Sequence, residues 1–360
     1  MNQTIDKAED NAANNDAARE KLMATARILV PILLALVVGG LILLSFGKNP
    51  LDYYWYIVKR GILSPGGLQA TIVRAAPLLL IAAGLIVAFR AGIWNLGIDG
   101  QFLLAAAIVA ALAPALNPLM PSWLMFLVCF VAAAAVGAAW SLIPAFLKAN
   151  YGINEIITSL MMTFLGINLA NVLIKIPFND PTTTVPQTAT LPVIDRLPRL
   201  FDTTIHSGII FSLLAVVAVH YLMTKTSLGL KLQIVGANPK AAIHAGLNVS
   251  ILTYVTFFLS AGLTGLGGAV EILGVWGGMR ADWNPAYGLL VVPLVFLARF
   301  HGIGSIAFVL FFAALMIGGE SASRRLGVPH SFILVLVALL LMFLALIEIL
   351  DHRWRQKKKA

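Results

Sequence analysis

Long, nearly unbroken apolar blocks, such as residues 28–46 and 332–350, constrain this chain more than any other feature. A helix crossing a bilayer needs about 20 mainly apolar residues, because the hydrocarbon core is about 30 Å thick. Several blocks reach that length. Composition agrees: 59% of the residues are hydrophobic and 11% are charged, where an ordinary soluble domain carries about 25% charged residues. So few charges cannot cover the surface of a soluble protein of 360 residues. The expected fold class is all-α, a polytopic membrane helical bundle in a lipid bilayer.

Ten membrane segments are expected, roughly at 27–47, 68–89, 101–115, 122–147, 154–176, 208–223, 250–275, 287–299, 303–320 and 331–350. The breaks between them hold Pro, Gly, Asn or charge. Residues 1–26 form a polar tail with little to bury, 27–350 the transmembrane domain, and 351–360 a basic tail. Residues 1–22 are polar and mixed in charge, and the apolar run after them is too long for a signal-peptide core, so no cleaved leader is expected. The net charge of +9 is concentrated at the end, where Arg353, Arg355, Lys357, Lys358 and Lys359 follow a spanning segment. The excess of Lys and Arg on the cytoplasmic side of membrane proteins accounts for this tail better than nucleic-acid binding does. Both termini are then expected in the cytoplasm, with Arg90, Lys148, 225–240 and 299–301. Lys59–Arg60, Lys175, Arg196, Arg199, Arg280 and Arg324–Arg325 fall outside in this scheme and weigh against it.

The longest connection, 177–207, is rich in Pro and Thr, and is expected to be extended and water-exposed. It divides the segments into two sets of five. Five is odd, so the two halves are expected to be inverted. The segments 101–115 and 287–299 are short, the first about 22 Å long as a helix. Each follows a polar, broken stretch at the corresponding place of its half: RAGIWNLG at 90–97 and RADWNPAYG at 280–288. Paired broken segments in inverted halves point to a transporter's substrate path. Irregular backbone at membrane depth is tolerated only when buried in protein or lining a cavity. The expected path is lined by Trp94, Asn95, Asp99 and Gln101 from one half and Arg280, Trp283 and Asn284 from the other. Trp94 and Trp283 also fit the alternative of interfacial anchors.

Further polar residues stand at the edges of, or within, apolar segments. Asn154 and Glu155 begin the fifth segment; they suit helix capping or lining of the path. Glu271 and Glu320 are similar cases whose partners the sequence does not name, and Arg74 either snorkels or pairs with a carboxylate. Gly274 and Gly278 have the GxxxG spacing of close helix packing. Cys129, the single cysteine, stands in an apolar run and reads as a small buried side chain. No phosphate-binding GxxxxGK[ST] loop and no HExxH motif occur. His206, His220, His244, His301, His330 and His352 lack ligand spacing and read as loop or interfacial residues.

The loop 224–250 carries the most specific local signal. Asn238 suits a helix cap, Pro239 the first helical position, Lys240–Ala245 a short helix, and Gly246 a left-handed exit. The blocks FRAGIWNLGIDGQFLLAA (89–106), LKANYGINEIITSLMMTFLG (147–166), SLGLKLQIVGANPKAAIHAGLNV (227–249) and LSAGLTGLGGAVEILG (259–274) occur in this order. Together they resemble the permeases of ATP-binding-cassette (ABC) importers for branched-chain amino acids, ribose, simple sugars and nucleosides, and most closely the nucleoside (guanosine-type) and simple-sugar branch. The likeness covers about residues 65–350. Family members usually carry Glu at the position of Asp99 and Asn at that of Thr163, two departures beside the expected path.

The resemblance implies a permease subunit that performs no covalent chemistry and binds no cofactor, with ATP used by a separate cytoplasmic ABC ATPase. It implies a second permease, related or identical, an extracytoplasmic substrate-binding protein, and a bacterial inner-membrane location. Gly236, Asn238, Pro239, Lys240, Ala241, Ala242, Ala245 and Gly246 are expected to meet the ATPase, with the small side chains of Ala241, Ala242 and Ala245 as the packing face. A nucleoside is the first expectation for cargo and a ribose-like sugar the second. An ion-driven secondary transporter is the rival from another class; such proteins usually display more intramembrane ionisable residues. An intramembrane enzyme fits less well still, because no nucleophile–base or metal spacing is present.

Overall fold

The computed structural model describes residues 29–329 and 331–359. The expected polar tail 1–26 lies outside them, and of the basic tail 351–360 only the helical backbone to Lys359 is described. The described residues are helical with no strand; two isolated bridges pair Gln187 with Arg280 and Arg199 with His206. The helices are α1 (Leu29–Ser45), α2 (Pro50–Val58), α3 (Pro65–Arg90), α4 (Ile98–Leu116), α5 (Ser122–Tyr151), α6 (Glu155–Lys175) and α7 (Gly208–Lys225). They continue as α8 (Ser227–Ala237), α9 (Pro239–His244), α10 (Val249–Glu271), α11 (Tyr287–Leu297), α12 (Gly302–Leu326) and α13 (Phe332–Lys359).

Seven of these helices are long and apolar enough to cross a membrane: α3, α4, α5, α6, α7, α12, and α10 with its extension to Trp276. Three shorter apolar helices, Leu29–Ser45, Tyr287–Leu297 and Phe332–Ile347, coincide with the remaining expected segments. The expectation of ten crossings is thereby reduced to seven spans of full length. The expected short segment 101–115 is longer than its hydropathy indicated: α4 has 19 residues. It begins in the polar stretch itself, where Asp99 occupies its first turn. An acidic group is favourable there, beside the exposed N–H groups of a helix start.

Local chemistry sets the helix ends. Ser64 accepts from Gly67 N at the start of α3, Thr226 from Gly229 N at α8, and Asn248 from Ile251 N at α10. Gly152 closes α5 with φ 66°, a backbone region that costs glycine little. After Glu271 the chain makes one wider turn, Ile272–Trp276, and stops at Gly277 with φ 72°.

The chain forms two compact units, one of Val58–Gly318 and one of residues up to Ile57 together with those from Gly319. In the smaller unit Tyr53 is fully buried, edge-on to Phe332 at 5.5 Å, and the Tyr54 hydroxyl donates to Leu36 O at 2.7 Å. The larger unit is built around α3, α4 and α10. Every residue of α3 from 75 to 88 is buried, whereas α5, α6 and α7 leave most side chains outward. Apolar contact gains little where lipid offers the same surroundings, so close packing and hydrogen bonds hold such bundles. A Cβ on Gly84 of α3 would lie 2.5 Å from Ser260 O of α10, and one on Gly265 would overlap Ala133 O of α5.

The larger unit has two ends. At one, Arg90 Nε donates to Phe300 O (2.9 Å), Ser250 Oγ to Ala149 O (3.2 Å), and Gly92 touches Gly236. At the other, Asn117 Nδ2 donates to Asp195 Oδ2 (2.9 Å) and Lys175 pairs with Asp282 at 3.0 Å. The 177–207 connection lies at this second end, and it is not simply water-exposed as its Pro/Thr content suggested. Thr188, Leu191, Leu197 and His206 are buried. Its backbone bonds the segment after α10 repeatedly: Thr188 N to Met279 O, Leu191 N to Gly277 O, Leu197 N to Leu273 O, and Ala281 N to Pro186 O. Burial pushes the His206 imidazole down to about 4, so it is neutral in the fold at ordinary pH.

Candidate functional site

The first broken stretch starts where Gly92, at φ 68°, turns the chain after α3. The next residues are held by side chains from three helices. Asn95 Nδ2 donates to Gln101 Oε1 (3.1 Å) and to Ser260 Oγ of α10 (3.1 Å). Asn95 Oδ1 accepts from Gln101 Nε2 (3.0 Å) and from Gly97 N (3.1 Å). From α6, Ser159 Oγ accepts from Leu96 N (3.1 Å) and Thr163 Oγ1 donates to Leu96 O (2.7 Å). Asn95 and Gln101 are fully buried with their polar atoms matched, so they brace the stretch and present no group to an open channel. Trp94 is 39% exposed and packs on Phe89 (5.1 Å) and Phe296 (5.7 Å) at the Arg90 end of the unit.

The second stretch is a run of tight turns, with Asp282 and Ala286 at positive φ. Asn284 Oδ1 accepts from Ala286 N (2.8 Å), a turn that asparagine favours, and Asp282 N donates to Asn171 Oδ1 of α6 (2.8 Å). Arg280 and Asn284 are exposed and lie at the 177–207 end. Trp283 reaches inward to Phe102 at 6.2 Å.

The two stretches enter from opposite ends, and the helices they start, α4 and α11, meet at their N-termini. Gly288 N of α11 donates to Asp99 Oδ1 of α4 at 2.6 Å. One carboxylate thus faces two helix starts, the place where a negative group is stabilised most. Phe102 stands edge-on to Tyr287 at 5.5 Å beside it. Asp99, Phe102, Trp283 and Tyr287 are therefore brought together, while Trp94, Asn95 and Gln101 form a separate braced group. Asn154 and Glu155 stand apart from both. Asn154 caps α6 by accepting from Ile156 N (2.8 Å), and Glu155 pairs with Lys148 at 2.6 Å across the α5–α6 turn.

A buried polar chain adjoins the meeting point. Arg74 Nη1 donates to the Tyr287 hydroxyl (2.7 Å), Tyr287 donates to Glu271 Oε1 (3.3 Å), and Trp276 Nε1 donates to the same oxygen (2.9 Å). Glu271 Oε2 has no hydrogen-bond partner among the described residues. Arg74 and Glu271 were conspicuous in the sequence as ionisable groups in apolar segments. Tyr287, Trp276, Ser260 and Ser159 carried no such mark.

The loop after α7 forms the capped helix that its sequence predicted. Asn238 Oδ1 accepts from Lys240 N and Ala241 N, both at 3.1 Å, Pro239 takes the first position of α9, and Gly246 turns out at φ 78°. The packing face differs from expectation. Ala242 is fully buried within the chain, so it belongs to the fold and not to an outward face. Pro239, Lys240, Ala241 and Ala245 are exposed, and so is Ile243, at 60%, which the expected set omitted. Gly236 packs on the backbone of Arg90–Gly92, where a Cβ would overlap Arg90 O. This contact joins the loop to the turn that opens the first broken stretch.

A family model described as branched-chain amino acid transport system / permease component matches residues 67–346. The chain is 35% identical to the glucose ABC transporter permease protein TsgB13 of Haloferax volcanii, over 88% of this chain and 86% of that protein. It is 27% identical to the guanosine ABC transporter permease protein NupP of Bacillus subtilis, over 88% of this chain and 92% of that one. A second permease of B. subtilis, the guanosine ABC transporter permease protein NupQ, is 26% identical over 74% of this chain and 87% of its own length.

Proposed function

Because the chain belongs to the permease-component family of branched-chain amino acid transport systems and is a non-enzymatic ABC permease, we propose that it carries a nucleoside across the cytoplasmic membrane of a bacterium. Energy comes from ATP hydrolysed by a separate ATPase that docks on the exposed face of α9. A related permease is its partner in the membrane, a reading supported by the match to two different guanosine permeases of one organism. An extracytoplasmic binding protein delivers the cargo to the 177–207 end. The ten apolar helices then act as two inverted halves, with α11 as a half-length helix that completes the crossing begun by its broken stretch and starts where α4 starts. The substrate path runs by the Asp99–Gly288 junction.

The indoles support the cargo assignment. Trp283 lies beside the junction, with Trp276 at 5.9 Å, and flat rings stack well on a base. A hexose is the second reading, favoured by the 35% identity to the glucose permease of H. volcanii. Uptake separates the two. Cells expressing this permease with its ATPase, partner permease and binding protein are expected to accumulate labelled guanosine, and excess unlabelled glucose is expected not to compete. Glucose uptake without guanosine uptake would replace the first reading by the second.

A further inference from the structure

We propose that a cavity of about 490 Å³ between the 177–207 connection and the segment following α10 is a receiving subsite for a neutral cyclic polyol, either the ribose of a nucleoside or a hexose. The proposal rests on the permease reading above and adds a place where this chain itself holds cargo before translocation. The volume lies in the range of small-molecule sites, about 300–1,000 Å³.

The walls have the chemistry such a ligand needs. Trp276 and Trp283 both line the cavity, and their rings meet edge to face, at 5.9 Å and 62°. One indole face is thereby left for a sugar or base ring, with the second indole closing its flank. Gln187, Thr190 and Arg280 also line the cavity, and their side chains make no hydrogen bond or ion pair among the described residues. They supply free amide, hydroxyl and guanidinium groups to ligand hydroxyls. Gly278 leaves the floor open: a Cβ there would stand 3.2 Å from Thr188 Oγ1 and 3.3 Å from Thr190 Oγ1.

The frame is rigid although it is built from connections. Thr188 binds Met279 twice, N to O at 3.0 Å and Oγ1 from N at 2.9 Å. Arg196 stacks over Gly277 and donates to Leu191 O (3.1 Å) and Val275 O (2.6 Å), which fastens the loop to the end of α10. A wall held in place before binding spends little ordering entropy when a ligand arrives. Inward, Trp276 is tied to Glu271, and Trp283 to Phe102 in the first turns of α4. The cavity therefore adjoins the Asp99 junction through two of its own walls, as a waiting position for cargo should.

Binding to the complete complex tests this. The permease, its partner permease and its ATPase are reconstituted in nanodiscs without the binding protein, and titrated with guanosine and separately with glucose while tryptophan fluorescence is read. Saturable quenching by one of them is expected, and the responding compound identifies the source of the polyol. Thr190→Trp fills the cavity from an exposed position, and Arg280→Ala removes the guanidinium; each is expected to weaken binding about tenfold or more in complexes that still assemble. Unchanged binding in both variants overturns the subsite. So does absence of binding of either compound when the same complex, in proteoliposomes with its binding protein and ATP, transports one of them, an outcome that leaves the permease reading intact. A complex that under those conditions transports neither and binds neither overturns both the subsite and the proposed cargo.

Discussion

Asp99 is the residue on which most of the site geometry depends. It accepts the Gly288 N–H at 2.6 Å while occupying the first turn of its own helix. Removing an acceptor from a buried N–H costs about 1–3 kcal/mol, and more when the acceptor is charged. Asp99→Ala is therefore expected to lower the melting temperature of the solubilised complex and to abolish most uptake. Asp99→Asn keeps an acceptor oxygen and is expected to be milder in both. Equal melting temperatures for the two variants would show that the Asp99–Gly288 bond contributes nothing. That Asp99 matters was legible from its place in a polar break between apolar segments. That its partner is a backbone N–H 189 residues away was not, because no local pattern encodes a contact of that separation.

At the scale of elements, α9 was readable almost completely. Its cap, its first-position Pro and its glycine exit are each set by chemistry within a few residues. Its buried face was not readable, since one helical turn of small residues gives no periodicity to judge by. The exposed Ile243 and the buried Ala242 make opposite predictions. Ile243→Glu is expected to leave the membrane complex folded and assembled, while ATP hydrolysis no longer drives uptake. Ala242→Glu places a charge in a closed contact and is expected to reduce the amount of folded protein by destabilising it on the order of several kcal/mol. Assembly and uptake measured side by side check this. Normal coupled transport in Ile243→Glu would exclude that face as the ATPase contact.

For the molecule as a whole, topology is the prediction that matters. The α9 end carries Arg90, Lys225, Lys231, Lys240 and Arg299, and basic residues favour the cytoplasm. The 177–207 connection lies at the other end of the same unit. Reporter fusions at Lys358 and near Pro186 are expected to report opposite sides, with Lys358 inside. Finding both on one side would overturn the arrangement of two inverted halves.

By itself the sequence determined that this chain is a helical membrane protein, roughly where most of its apolar helices lie, and which two stretches break the pattern. These are properties of hydropathy and of capping chemistry, and both are local. The short helices α2 and α8 and the extended ends of α12 and α13 went unread. Tertiary structure decided which helices form the interior. α3 and α5 have nearly the same mean hydropathy, yet α3 is buried through its middle and α5 faces largely outward. Lipid is as apolar as a protein core, so hydrophobicity cannot tell one from the other. Structure also decided that Asn95 and Gln101 satisfy each other, that the two broken stretches meet at Asp99, and that the Pro- and Thr-rich connection is fastened down over α10. Each of these rests on hydrogen bonds between groups far apart in the chain, which only the packed bundle brings within reach.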